Sequence, residues 1–446
     1  MNSSAGKVSF YSLFFPLIFE LVMNNILSTV NTAVLSGYSE SASTAVGAAT
    51  PLISLLLLFG STLSTGSAVL ISNSIGAGDK KRSGEICFTG LLTIVLIVAL
   101  ISPILIIFAP EIMVMQNLTG EIGAMATTYF RIRVGSIVVT SLSSALLAVM
   151  RCYGYAKYTF LSGFVTGAIN LVLNIFVVFL FKPSPMGSVA GAAFSCVAAT
   201  VCSLILLIIL FIKKKIAIKL TKSIRSFIRY NAAILKIGLP SALSGGSFTL
   251  SQIVTTSFMA ELGNVALSAK VYFTNILSYA YAFSFAAGSA NSIMTGIRFG
   301  ARELECADKM NKKLIRLTSV FNLAVSLAIL LLHRPLVSVF TDTEAIISLS
   351  VGVFLVDTLT EHGRAISHIY EYSLRSIRDV WFSMLAMIIS CWTFSIALSY
   401  ILSIKLGLGL IGCYIGLAAD ELTRGLVTRL RWNCKYKKYK KIKAPG

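Results

Sequence analysis

Residues 15–52 read FPLIFELVMNNILSTVNTAVLSGYSESASTAVGAATPL, and residues 66–85 read GSAVLISNSIGAGDKKRSGE. A related pair follows in the same order: IGLPSALSGGSFTLSQIVTTSFMAELGNVALSAK at 237–270 and NSIMTGIRFGARELECADK at 291–309. One constant shift relates the copies: Pro16 meets Pro240, Ala45 meets Ala269, Gly76-Ala77 meets Gly300-Ala301, and Arg151 meets Arg375. These anchors mark helix interiors, turns and loop charges, the positions that set a backbone path. Chance matches would not keep both order and spacing.

Both copies are strongly apolar. The mean hydropathy is +0.83 and only 13% of residues are charged, whereas soluble proteins carry roughly a quarter. The chain is therefore read as a polytopic membrane protein. At about 20 residues per span plus short loops, it accommodates roughly twelve helices. Spans are expected near 9–36, 44–74, 86–109, 124–153, 157–181 and 188–212, then near 237–262, 266–299, 314–333, 345–374, 380–404 and 407–430. A duplicated hydrophobic chain of this kind is the sequence form of a two-lobed transporter.

Loop charges alternate. One side carries Asp79-Lys80-Lys81-Arg82, Arg151 with Lys157, the 213–236 stretch, Arg298 to Arg316, Arg375 with Arg378, and the C-terminal tail. The other carries 37–44, 110–123 and 341–344, without Lys or Arg. Basic loops stay in the cytoplasm, so both termini are expected there, in the cytoplasmic membrane. An even number of helices per half makes the repeats parallel. The fold class is thus all-α integral membrane, with twelve transmembrane helices in two parallel six-helix repeats. The expected division is an N-terminal lobe over 1–212, a basic amphipathic cytoplasmic linker over 213–236, a C-terminal lobe over 237–430 and a basic tail over 431–446. In the linker, Leu220, Ile224 and Phe227 recur at helical spacing with Lys222, Arg225 and Arg229 opposite, the pattern of an interfacial helix.

The formal charge of +20 suggests nucleic acid until it is located. Residues 213–236 and 429–446 carry most of it, without acids, and border helices; contact with membrane lipids explains them, and no nucleic-acid partner is expected. The eight cysteines fall in expected spans or on the cytoplasmic side, so no disulfide framework is expected. The stretch from Met1 to Asn25 includes Glu20, Asn24 and Asn25, which fits a retained first helix rather than a cleaved signal.

The matched segments also resemble the multidrug and toxic compound extrusion (MATE) family. So do MRCYGYAKYTF (150–160) and LRSIRDVWFSM (374–384), which are similar to its arginine-plus-turn signature, and LGLIGCYIGLAADELTRGLVTRLRW (408–432), similar to its last helix. The ordered set covers nearly the whole chain. The resemblance implies two six-helix bundles that open alternately to each side. It also implies export of organic, often cationic, compounds driven by inward H+ or Na+, with no cofactor beyond the coupling ion. Many members carry an aspartate on the first helix where this chain has Asn31. With Asn170 and Asn174 on the fifth helix, it presents a neutral amide cluster as part of a substrate cavity, which puts the usual N-lobe proton switch in doubt.

Ionisable groups within spans are functional candidates, because burying them costs several kcal/mol without a partner or water. Glu20 lies roughly 16 Å into the first helix, and Asn24, Ser28 and Asn31 continue its face. On the tenth helix, Asp357, Glu361, Arg364, His368 and Glu371 share one face. Glu20, Asp357 and Glu361 are the candidate H+ or Na+ coupling residues; Arg364 and His368 are candidates for the substrate cavity. The bland alternative is a self-neutralising ladder, Glu361 with Arg364 and His368 with Glu371. Arg151, Arg375, Asp420, Glu421 and Arg424 are candidates for a cytoplasmic gate, with simple headgroup contact as the alternative. Arg131, Arg133 and Lys270 fit interface snorkelling; facing a cavity, they would suit an anionic or zwitterionic cargo. His368 and Glu371 make half a metal site at most, so no metal is expected, and no nucleophile motif accompanies the three histidines.

The sequence reading is therefore a monomeric secondary antiporter that exports organic, cationic or amphipathic compounds, and not an enzyme. A flippase for a lipid-linked precursor, an exporter of an anionic or zwitterionic metabolite, and an intramembrane enzyme remain as alternatives.

Overall fold

The computed structural model describes residues 9–38, 40–115, 118, 120–177, 185–216, 218–221 and 223–443. Every regular element among them is helical. The first half runs α1 (Phe10–Tyr38), α2 (Glu40–Gly76), α3 (Lys80–Ile107), α4 (Ala109–Met115), α5 (Gly120–Gly135), α6 (Ile137–Cys152), α7 (Ala156–Ile175) and α8 (Pro185–Lys213). The second runs α9 (Ile224–Glu261), α10 (Asn264–Gly300), α11 (Leu304–Leu331), α12 (His333–Ser338), α13 (Glu344–Ser376), α14 (Val380–Ser390) and α15 (Gly409–Lys443). Two π-helical segments, Cys391–Leu398 and Ile401–Lys405, continue α14.

Among the described residues, six helical stretches are each apolar and long enough to cross a membrane: 80–107, 156–175, 189–213, 304–331, 344–376 and 380–405. A seventh is the pair α5 and α6, bent by 48°. The bend falls at Gly135-Ser136, where the Ser136 amide is shared between the carbonyls of Ile132 and Arg133 at 3.2 Å. The Ser136 hydroxyl also donates to the Arg133 carbonyl at 2.9 Å. A serine that bonds its own backbone competes with the helical ladder. The single fourth span expected over 124–153 is thus two helices. Helix α10 carries polar residues along its length, and its Ser284, Asn291 and Thr295 are buried inside protein.

The internal repeat reaches the level of individual hydrogen bonds. After α2, the amides of Ala77, Gly78 and Asp79 donate to the carbonyls of Asn73, Ile75 and Ser74. After α10, those of Ala301, Arg302 and Glu303 donate to Ile297, Phe299 and Arg298, each at the position the repeat shift assigns to it. The turn after α6 is likewise repeated after α13. There Tyr153, Gly154 and Tyr155 donate to Val149, Arg151 and Met150; Ile377, Arg378 and Asp379 donate to Ser373, Arg375 and Leu374. Both turns need a left-handed residue, the usual helix stop. The first copy uses Gly78 (φ 75°) and Gly154 (φ 82°); the second places Arg302 (φ 60°) and Arg378 (φ 68°) there. The backbone path is kept between copies although the residue that suits it is not.

The described residues divide into two compact units that change over within α9, between Ala242 and Leu243. In the first, α2 packs on α3, α5 and α6, α8 on α5, α6 and α7, and α1 on α7. In the second, α13 is central and packs on α10, α11 and α15. Lipid tails are as apolar as leucine, so close van der Waals approach at small residues drives such packing. A Cβ on Gly66 would meet the Ile234 carbonyl, and one on Gly238 the Thr62 carbonyl, so α2 and the start of α9 touch backbone to backbone. Gly412 and Gly416 do the same against Ser403, Ser399 and Phe394 of the π segments. There the widened helix frees the Ser395 carbonyl to accept from Thr255 at 3.2 Å.

Both basic segments outside the expected spans are at least partly helical. From Ile224 the expected linker is already part of α9, tied to α3 by Tyr230 Oη donating to Glu85 at 2.8 Å and Thr93 donating to Asn231 at 2.5 Å. Phe227 is half-buried while Ile224 is exposed, so the face expected to be apolar splits between protein and surroundings. The basic tail is helical as well, since α15 continues to Lys443. Trp432 is fully buried with Leu304, Ala307, Tyr370 and Leu374, and its Nε1 donates to Asp308 at 2.9 Å. Arg431 and Lys435 both reach Asp379, at 2.7 Å and 3.3 Å.

Candidate functional site

The polar face of α13 lies inside the second unit. Asp357, Glu361 and Glu371 are buried, and α15 brings Asp420, Glu421 and Arg424 against them, also buried. Two glycines permit this. A Cβ on Gly363 would lie 2.8 Å from the Leu422 amide nitrogen and 2.9 Å from the Glu421 carbonyl carbon, and Gly425 faces the Gly363 carbonyl at 3.2 Å. At that crossing, carboxylates and guanidiniums alternate. Arg364 pairs with Glu361 on its own helix and approaches Glu421 at 3.6 Å; Glu421 pairs in turn with Arg424. Ser367 donates to the other Glu421 oxygen at 2.8 Å. Glu361 takes a further bond from Asn322 of α11 at 3.0 Å, and Asn322 also donates to Ser284 of α10 at 2.7 Å. Glu371 pairs with Arg375. The pairing of Glu361 with Arg364 matches the ladder alternative, whereas Glu371 pairs with Arg375 rather than His368.

Three guanidiniums thus serve Glu361, Glu371 and Glu421. Asp357 and Asp420 make no ion pair among the described residues. Asp420 is held by neutral donors, Ser390 Oγ at 2.5 Å and Cys391 Sγ at 3.5 Å. Asp357 is 2% exposed, and its Oδ2 has no hydrogen-bond partner among the described residues. A buried anion without a counter-charge costs several kcal/mol, so the cluster as it stands is short of positive charge. Asp357 lies roughly 20 Å along α13 from Glu344, well inside the span.

Beside the ion chain runs an aromatic wall. His368 meets Tyr281 edge-on at 5.7 Å and stacks on Tyr372 at 6.0 Å. The Arg364 guanidinium lies 5.3 Å from the Tyr281 ring centre and that of Arg375 5.0 Å from Tyr372, a cation–π geometry. A third polar layer joins Asn291 to Asn311 and Ser373 at 2.9 Å each. The sequence reading missed Asn291, Asn311, Asn322 and Asp308. Amides recurring in otherwise apolar spans were the available signal.

In the first unit, Glu20 is held by Arg151 through both carboxylate oxygens, at 2.6 Å and 2.8 Å. Two residues assigned separate roles, coupling and gating, are therefore one ion pair between α1 and the end of α6. Asn174 donates to Asn170 at 3.2 Å, and Asn170 to Cys196 at 3.1 Å. The side chain of Asn31 lies outside the described residues. Arg131 donates to the Ile106 carbonyl at 3.1 Å, and Lys270 to Thr256 at 3.0 Å.

An all-helical, internally duplicated chain with apolar spans and a buried charged cluster defines a membrane transporter. The MatE family model matches it twice, over residues 16–176 and 240–401, and the two matches start at Pro16 and Pro240, the first anchor pair of the repeat. The chain belongs to the MATE family, and its fold is the family's twelve helices in two repeats. It is 29% identical to the uncharacterized transporter YisQ of Bacillus subtilis, over 95% of this chain and 93% of that one. It is 22% identical to the multidrug resistance protein MdtK of Edwardsiella ictaluri, over 95% of both. Among solved structures, MATE in complex with MaL6 superposes with a TM-score of 0.90 at 18% identity, covering 97% of this chain and 96% of that one. An outward-facing multidrug resistance MATE transporter gives 0.87 at 19% identity, with the same coverage.

Proposed function

We propose that this transporter is an antiporter of the cytoplasmic membrane, exporting organic, cationic or amphipathic compounds by alternating access in exchange for H+ or Na+. The observation that carries the coupling is the charge imbalance of the α13–α15 cluster, which leaves Asp357 and Asp420 without a guanidinium. Binding one H+ or Na+ at Asp357 removes the cost of a lone buried anion. If that cost differs between the inward- and outward-open states, an ion gradient biases the cycle. Glu361, tied to Arg364 and Asn322, positions the cluster. Glu20 has its own counter-ion and serves as a tie between α1 and α6. The multidrug names of relatives such as MdtK support a drug-like cargo; the basic loops support cytoplasmic termini.

The test is efflux from vesicles with an imposed H+ or Na+ gradient, using cationic and anionic dyes. Asp357→Asn should abolish gradient-driven efflux of the cationic dye while leaving dye binding and melting temperature intact. Asp420→Asn should reduce it, and Glu20→Gln should leave it coupled. Full efflux by Asp357→Asn removes the carboxylate reading; loss only in Glu20→Gln moves coupling to the first unit.

A further inference from the structure

The first turns of α9 carry three distinct faces. One, with Tyr230, Asn231, Ile234 and Gly238, is packed on α2 and α3. A second is an aliphatic stripe, Ile224, Ile228, Leu235 and Leu239, at 74%, 61%, 40% and 50% exposure. The third is basic: Arg225, Arg229 and Lys236, all exposed. At 100° per residue these three lie roughly 100–140° round the helix from Ile224, adjacent to the stripe rather than opposite it. Among the described residues, no carboxylate pairs with any of the three.

The stripe continues along the same helix through Leu243, Leu250 and Ile253, all exposed. Arg225, Arg229 and Lys236 stand beside the first four turns of this stripe, and Lys and Arg concentrate where a spanning helix meets the cytoplasmic headgroup layer. Lys80, Lys81 and Arg82, also exposed, open α3, whose Glu85 is bonded to Tyr230, so the neighbourhood is basic on both helices.

We propose that the start of α9 is a binding site for an anionic phospholipid of the cytoplasmic leaflet. Its acyl chain lies along Ile224, Ile228, Leu235 and Leu239, and its phosphate meets Arg225, Arg229 and Lys236. A zwitterionic lipid offers the same chain but carries its own cation, which opposes the three bases. Long basic side chains flanking an apolar stripe reach headgroups while their stems stay in the apolar layer. Selectivity for net negative charge follows.

The test is native mass spectrometry of the delipidated full-length chain, titrated with phosphatidylglycerol or phosphatidylcholine of matched chains. The natural chain should retain phosphatidylglycerol preferentially. Each basic residue replaced in Arg225→Gln, Arg229→Gln and Lys236→Gln should weaken that retention about fivefold. Arg229→Lys, which keeps the charge, should bind within about twofold of the natural chain. Raising salt from 0.1 M to 1 M, which shortens the Debye length from about 10 Å to about 3 Å, should erode the preference. The triple variant Lys437→Gln, Lys438→Gln and Lys440→Gln, at the end of α15 in the other unit, should leave it unchanged. Equal retention of both lipids, a preference that survives loss of all three α9 bases, or one lost with the α15 bases instead would each overturn the proposal. Should the triple α9 variant not fold, the single Arg225→Gln and Arg229→Gln variants decide by the same readout.

Discussion

Arg364 serves two carboxylates, Glu361 on its own helix and Glu421 across the α13–α15 crossing. Its removal strands Glu361 in a buried setting and leaves Glu421 to Arg424 alone, and breaking one buried pair typically costs about 3–5 kcal/mol. Arg364→Ala is therefore expected to lower the melting temperature in detergent sharply. Arg364→Ala with Glu361→Gln should recover part of the loss, because one stranded charge has gone. An unchanged melt in the single variant would mean that the ion chain adds no stability. Asp357 differs in kind: the same helix face holds one acid with a guanidinium and another without. Partner count separates these two acids, since both are buried.

At the scale of the element, small residues decide which polar groups can meet. Gly363 lets α15 approach until Glu421 reaches Arg364. Gly363→Ala would set a methyl group against the backbone of Leu422 and Glu421, which cannot step aside like a side-chain tip. Overpacking of this kind costs about 1–3 kcal/mol, and the expected result is a lower melting temperature together with weakened coupled efflux. An unaltered protein would show that the crossing is loose. Helix boundaries such as α10 and α13 were legible from apolar runs and turn anchors. The bend at Ser136 and the π segments were not, since both arise from local competition for carbonyls and from the demands of α15. The left-handed stops illustrate the same limit. Gly78 and Gly154 announce themselves, whereas Arg302 and Arg378 sit in the equivalent conformation with no local signal.

At the scale of the molecule, duplication explains why two units share turns yet differ in chemistry. Equivalent arginines, Arg151 and Arg375, end equivalent helices, but one is paired with Glu20 on α1 and the other with Glu371 one turn back. The α15 extension adds a feature of the second unit, seated through Trp432 on Tyr370 and Leu374. Trp432→Ala removes that packing and leaves Asp308 with Lys312 as its remaining partner, at 2.7 Å. A loss of about 3–5 kcal/mol is expected for a buried tryptophan, read as a lower melting temperature. Retention of the natural melt would show that the extension is not integral to the unit.

Hydropathy, repeat spacing and loop charge were enough to determine a helical, duplicated membrane protein, because lipid leaves a spanning backbone few alternatives. They also placed the acids of α13 on one face, since helical period follows from the sequence alone. Which partners those acids meet on other helices was decided only by tertiary structure. Ion pairing depends on residues far apart in the chain, such as Arg364 with Glu421 or Arg151 with Glu20, and on the glycines that let their helices close to contact.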